Sequence, residues 1–400
     1  LLQEVKVNKT IVRVLVLLTI IFLSAACIRR PYTCDDPSGC VTIGNQENIK
    51  IGVLLTLSGP DAPYGIDALR GIELAVADKG QVFGHNVELV QQDDHCNEQG
   101  GADGANTLAA DPKIIAIIGA TCSSSTEPAA RILSEKGLVL ISPSSTAPSL
   151  TDPQTHQPGF LRTIYNDKAQ GKTVAEFAFK VLGARTMVTV HDGTPYPLQL
   201  QQAACDNFEQ LGGQCLIQLQ IQSGQDMTGL INQIADLAPD VLYYPLYTTD
   251  GVNLTQKIVT EPKLFKTALI SSDGLLSSDF LKQTGRASDG MYLSGPATLQ
   301  EPQAFLQKYL NRYGEQPIAS YHLQAYDAAF MIFEAIERVA HPIGQDGIII
   351  PRQALRNTIF AVRQMNGLSG IITCSPNGDC AVPNIAIFQV QGNQFVPIYP

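Results

Sequence analysis

"IIAIIGATCSSSTEPAA", residues 114 to 130, is the stretch whose reading decides the fold. Its first five residues are apolar without a break, so both faces of the segment must be covered, as in a strand inside a parallel sheet. Glycine, cysteine and a run of hydroxyl residues follow. Pro128 is tolerated in the first turn of a helix, which puts the helix start near residues 124 to 127. Ser124 and Glu127 have the spacing of a capping box. Strand, hydroxyl-rich turn and helix make half of a βαβ unit. The turn lies at the carboxyl end of its strand, where open α/β sheets bind ligands.

The same alternation extends in both directions. Upstream, "IKIGVLLTL" reads as a buried strand, followed by a helix from about Pro63 to Lys79 with Ala68, Ile72, Ala75 and Val76 on one face. Then come the strand "VELVQQ" and a helix around "ANTLAA"; downstream lies the strand "LVLIS". Near residue 167 the cycle restarts with the helix "GKTVAEFAFKVL", the strand "TMVTV", a helix near 199–211, the strand "LIQLQI", the helix "LINQIADL" and the strands "DVLYYPL" and "TALIS". After residue 296 three helical segments follow, and residues 368–400 return to strands. Strands alternating with helices imply parallel sheets. The expectation is an α/β fold of two doubly wound parallel-sheet lobes joined by a multi-strand hinge. Residues 49–166 with 297–382 would form lobe 1, and 167–296 with 383–400 lobe 2.

The chain has 400 residues, 44% hydrophobic and 16% charged, with a formal net charge of −10. That balance describes a globular chain and argues against nucleic-acid binding, which needs a basic surface. Residues 1–26 differ in kind: Lys6, Lys9 and Arg13 lead into "VLVLLTIIFL" and then the small residues "SAAC". This is the layout of a secretory signal, and Cys27 after Ala25-Ala26 resembles the lipidated cysteine of a bacterial lipoprotein. Ser24 stands where an aliphatic residue is usual, so ordinary cleavage stays open. Residues 27–48 read as a polar tether. Cys27 aside, eight cysteines remain, and neighbours along the chain pair as Cys34–Cys40, Cys96–Cys122, Cys205–Cys215 and Cys374–Cys380, although other pairings are open. An exported chain meets oxidising conditions that favour such bonds.

The chemistry of common enzymes is not written here. No two glycines are separated by one residue, which excludes GxGxxG, and no P-loop or GxSxG motif occurs. There is no CxxC or HExxH, and no two of the six histidines fall within five positions. Neither a cofactor nor a metal is expected. What remains are hydroxyls. Ser123 precedes the cap and points at the sheet edge, beside backbone N–H groups and the positive helix end that favour an anion. "ISPSSTAPSLT" puts Ser144, Ser145 and Thr146 at the same sheet edge one strand later. Across from them, Asp273 follows "TALISS" and can face an ammonium. Tyr64, Tyr196 and Tyr247 all follow strand ends.

Taken in order, "IKIGVLLTLSGPDAPYGIDALRGIELAV", "DDHCNEQ", "CSSSTEPA", "ISPSSTAPSLT", "TVHDGTPY", "DVLYYPLY" and "YHLQAYDAA" resemble the leucine/isoleucine/valine-binding proteins of bacterial ABC importers, which have the type I periplasmic binding fold. The resemblance covers about residues 49 to 400. It implies an exported receptor, monomeric, that binds an amino acid by clamshell closure and passes it to a membrane permease. Ser123 and Thr146 would hold the ligand carboxylate. The Ser144 carbonyl, the Thr146 hydroxyl and Asp273 would take the ammonium. Tyr196 would bond from the second lobe, while Tyr64, Tyr247 and Tyr321 would surround a branched-chain or other aliphatic side chain. Cys96–Cys122 would match the family's disulfide. Three positions depart from the pattern: Asp273 stands for glutamate, Pro197 for glycine and Thr121 for an apolar residue. Amides, urea or other amino acids therefore stay open as ligands, as do a sensory receptor and an enzyme built on the same fold.

Overall fold

The computed structural model of the protein describes residues 32–297, 302–345 and 347–399. Two parallel-sheet lobes carry the chain. The first sheet has six strands in the order Gln81–Val82, His85–Asp93, Ile49–Leu55, Ile114–Gly119, Leu140–Ser142, Phe160–Arg162. All its pairings are parallel except that of the short edge strand Gln81–Val82. Strand Ile114–Gly119 is buried at every position, as its unbroken apolar run requires. The second sheet has seven strands, ordered Gln394–Tyr399, Ile385–Gln391, Tyr292–Pro296, Ala268–Ser271, Val241–Tyr243, Thr186–His191, Gln214–Gln220. Its last two strands in sequence, Ile385–Gln391 and Gln394–Tyr399, return antiparallel at one edge.

Each sheet is covered on both faces by helices, with an apolar cluster against each face. The chain passes between the lobes three times: after Arg162, after Pro296 and before Ile385. Helices Gln303–Tyr313, His322–Val339 and Arg352–Phe360 belong to the first lobe. The helix Ala62–Lys79 lies along His322–Val339, so late sequence completes the earliest unit. Among the described residues no helix is long and apolar enough to cross a membrane.

Two sequence expectations need correction. A helix, Thr248–Ile258, sits between strands Val241–Tyr243 and Ala268–Ser271, where two strands in succession were expected. The tether reading also fails over its described part. Strand Cys40–Ile43 pairs antiparallel with Gly347–Pro351, and Val41 and Ile43 are buried beneath the first lobe. The Asp36 carboxylate accepts from the backbone N–H groups of Gln353 (3.0 Å) and Ala354 (3.1 Å), at the positive end of helix Arg352–Phe360. Apolar alternation in "CVTI" outweighs the polar composition around it. The signal segment 1–26 and the lipidation expected at Cys27 lie outside the described residues.

Among the described residues four disulfides link Cys34–Cys40, Cys96–Cys122, Cys205–Cys215 and Cys374–Cys380.

Candidate functional site

The helix after strand Ile114–Gly119 begins at Ser123, earlier than the capping-box spacing suggests. The Cys122 carbonyl accepts the N–H groups of Ser125 (3.1 Å) and Thr126 (2.9 Å) together with the Ser125 hydroxyl (2.9 Å). The Ser124 hydroxyl turns away and donates to the Cys96 carbonyl at 3.1 Å. Neither serine caps the helix. Instead Ser124 ties it to the loop that the Cys96–Cys122 bridge already holds.

Thr121 explains its own departure from an apolar residue. Its hydroxyl accepts from the Thr56 N–H (2.8 Å), its N–H donates to Asp94 (2.7 Å), and its carbonyl accepts the Ser144 hydroxyl (2.7 Å). Three strand ends are thereby pinned at one point. The Ser123 hydroxyl accepts from the Ala147 N–H at 3.2 Å, which joins the two hydroxyl turns anticipated from sequence. Pro197 is accommodated because it falls in the first turn of helix Pro195–Gln210.

The second lobe contributes Asp273, fully buried just beyond strand Ala268–Ser271. One carboxylate oxygen accepts from Gln170 Nε2 (2.8 Å) and the Tyr196 hydroxyl (2.7 Å). The other accepts the Tyr321 hydroxyl (3.0 Å) from the opposite lobe. Burial raises the Asp273 pKa, and these three donors pull it back. Further bonds cross the cleft. The Tyr64 hydroxyl donates to the Gly274 carbonyl at 2.6 Å, and the Thr248 N–H donates to Asp61 at 3.1 Å. Gln199 both accepts from the Ser149 N–H (2.8 Å) and donates to the Ser149 hydroxyl (2.9 Å).

A small cavity of about 20 Å³, room for roughly one water molecule, lies between the lobes. Tyr64, Ser123, Ser144 and Tyr321 line it from the first lobe, and Tyr196, Tyr247 and Asp273 from the second. Of the eight residues expected to hold ligand, Thr146 alone is absent from this lining. It is wholly buried behind the turn, and its hydroxyl has no hydrogen-bond partner. The rings of Tyr196 and Tyr247 meet at 5.2 Å, and those of Tyr64 and Tyr321 at 6.0 Å. Among the described residues no group of acidic, histidine or cysteine side chains could hold a metal ion.

Sequence reasoning missed the buried polar groups behind this lining, around Asp273. Asp167 is fully buried, and neither of its carboxylate oxygens has a hydrogen-bond partner. The Thr146 hydroxyl lies close to it without hydrogen-bond geometry. Burial drives the Asp167 pKa well up, and the neighbouring Asp273 carboxylate pushes the same way. The hydroxyls of Tyr165 and Tyr243 are buried nearby and equally unpartnered. An acidic residue in a first helical turn ordinarily reads as dipole compensation, which concealed Asp167. Its place just after the first crossover was the available signal.

Tyr64→Phe should weaken ligand binding about tenfold, since it deletes a buried bond between lobes worth roughly 1–1.5 kcal/mol. Stopped-flow release should show the change in the off-rate, with melting of the ligand-free protein little altered. An unchanged off-rate would remove Tyr64 from closure.

A family model described as periplasmic binding protein matches residues 48–394. The Leu/Ile/Val-binding protein of Escherichia coli (strain K12) is 28% identical over 276 residues, covering 67% of this chain and 74% of the relative. Among solved structures, a leucine binding protein from Thermotoga maritima MSB8 is 27% identical with a TM-score of 0.79, covering 88% of this chain and 97% of that one. A branched-chain amino acid transporter substrate binding protein from Streptococcus pneumoniae, solved with isoleucine, aligns with a TM-score of 0.76 at 20% identity, over 88% of this chain and 100% of that one. At that identity the likeness speaks to fold alone.

Proposed function

This chain belongs to the periplasmic binding protein family, and from that premise we propose that it is an exported solute receptor delivering an aliphatic amino acid to an ABC permease. The observation that carries the proposal is Asp167, a buried carboxylate without a donor, beside a second buried carboxylate. Such a pair is costly unless a cation completes it. A ligand ammonium placed between Asp167 and Asp273 supplies that cation. Its carboxylate then falls to the turns of Ser123 and Thr146, where helix dipole and hydroxyls favour an anion.

The ligand's third group meets tyrosine rings whose polar tips are already engaged. Tyr64, Tyr196 and Tyr321 all spend their hydroxyls on protein acceptors, so they offer apolar faces to the cavity. That favours a branched or straight aliphatic side chain. Closure follows as population shift, because contacts drawn from both lobes exist together only when the lobes meet. Lipidation of Cys27 would keep the receptor at the membrane surface.

Isothermal titration against leucine, valine, alanine, glutamate and an aliphatic amide tests the reading. Leucine or valine should bind tightest; binding of the amide alone would refute it. Titration in two buffers of different ionisation heat should also reveal proton release. Burial keeps Asp167 protonated to higher pH in the free protein, and an incoming ammonium lowers its pKa, so affinity should rise with pH across that interval. Affinity that falls over the same interval would contradict the assignment.

A further inference from the structure

Behind the turn that carries Thr146 lies Arg162, at the end of strand Phe160–Arg162 and wholly buried. Its Nη1 donates to the carbonyls of Ser145 (3.2 Å) and Ala147 (2.9 Å), the two residues that bracket Thr146. Its Nη2 donates to the Thr151 hydroxyl, where the same turn ends. Its Nε donates to Asp379 at 2.6 Å, and the Thr151 hydroxyl donates to the other Asp379 oxygen at 3.1 Å. One guanidinium therefore holds both flanks and the far end of the turn. A single carboxylate, 217 residues away in sequence, is its ion-pair partner.

Asp379 is itself set in place by covalent and backbone means. It lies in the loop closed by Cys374–Cys380. That loop extends the first sheet past its edge: the Arg162 N–H donates to the Gly378 carbonyl (2.9 Å) and the Cys380 N–H to the Arg162 carbonyl (3.1 Å). Gly378 has φ +86°, and a Cβ there would come within 2.3 Å of the Phe160 carbonyl oxygen, so only glycine lets the loop approach this closely. Without Asp379, Arg162 would be a buried cation lacking its counter-ion. Such a cation draws in water or withdraws from the carbonyls it holds.

We infer that Asp379, presented by the Cys374–Cys380 loop, is a positioning residue that fixes the Thr146 turn through Arg162. It touches no ligand. Its bearing on ligand affinity rests on the amino-acid reading above, whereas the dependence of the turn on Asp379 does not.

Hydrogen–deuterium exchange on the ligand-free full chain tests the second point directly. Asp379→Asn should speed exchange of amides 144–147 by about tenfold while peptides of the second lobe stay unchanged, and Asp379→Glu should restore most of the protection. Unaltered exchange at 144–147, or an equal rise throughout the protein, overturns the inference. The paired change Cys374→Ser with Cys380→Ser should give the same local rise, and its absence overturns the role given to the closed loop. In a binding arm, Asp379→Asn should weaken leucine about tenfold but leucinamide, which lacks the carboxylate, by less than about threefold. Equal losses for the two would break the link to Thr146. Failure of the parent protein to bind leucine would count against the function proposed, and the exchange result would still decide the inference.

Discussion

Asp273→Ala should lower amino-acid affinity by about 10² to 10³-fold, with the lobes still folded. Asp273 gathers Gln170 and Tyr196 from its own lobe and Tyr321 from the other, so its removal strands three buried donors besides taking away a charge. Breaking a buried, hydrogen-bonded charge arrangement costs about 3–5 kcal/mol, which sets the expected range. Part of that cost falls on closure and part on the ligand. Asp273→Asn should separate them: it keeps the shape and one acceptor oxygen, but its amide faces donors, so affinity should recover only partly. Titration of both variants, with circular dichroism as the check on folding, gives the comparison. Affinity within threefold of the parent in Asp273→Ala would place the ammonium elsewhere.

Gly71→Ala should lower the melting temperature by roughly 3–6 °C, equivalent to about 3 kcal/mol in a chain of this length. The helices Ala62–Lys79 and His322–Val339 touch backbone to backbone at this residue. A methyl group added there would lie 2.0 Å from the His322 carbonyl oxygen, and backbone cannot turn aside as a side chain can. The gain of about 1 kcal/mol in helix propensity from glycine to alanine does not offset such a clash. The helices must separate or slide. Either movement disturbs Asp67, whose carboxylate accepts the N–H groups of Tyr321 and His322 at 2.9 Å. Tyr321 would then be less well aimed at Asp273, so ligand affinity should fall along with stability. Calorimetry checks the first effect and titration the second; a melting temperature within a degree of the parent would mean that the helix contact adapts freely.

Much of the fold is legible in the sequence because the strands are short and apolar on both faces. "IIAIIG" and "IKIGVLL" could not lie on a surface, and the segments between them have helical spacing. The helix Thr248–Ile258 escaped for a physical reason. "TTDGVNLTQKI" is rich in β-branched and polar residues with a glycine inside, and its helicity comes from burial of Val252, Leu254, Thr255 and Ile258. Tertiary packing decides there, not local preference. At the site, the hydroxyl turns could be read because they follow strand ends, whereas Gln170 and Arg162 could not. Their roles depend on contacts with residues far away in sequence, as with Gln170 and Asp273 or Arg162 and Asp379. No local pattern announces such partners.

The segment from Cys34 to Ile43 is stitched to the first lobe alone, through the Cys40–Ile43 ladder and the Asp36 clamp. Tension arriving from upstream would be absorbed by that half of the molecule. With the lipid anchor and closure proposed above, the other half would stay unencumbered, free to swing shut and open while its sibling is held still, so mooring and capture would not interfere with one another.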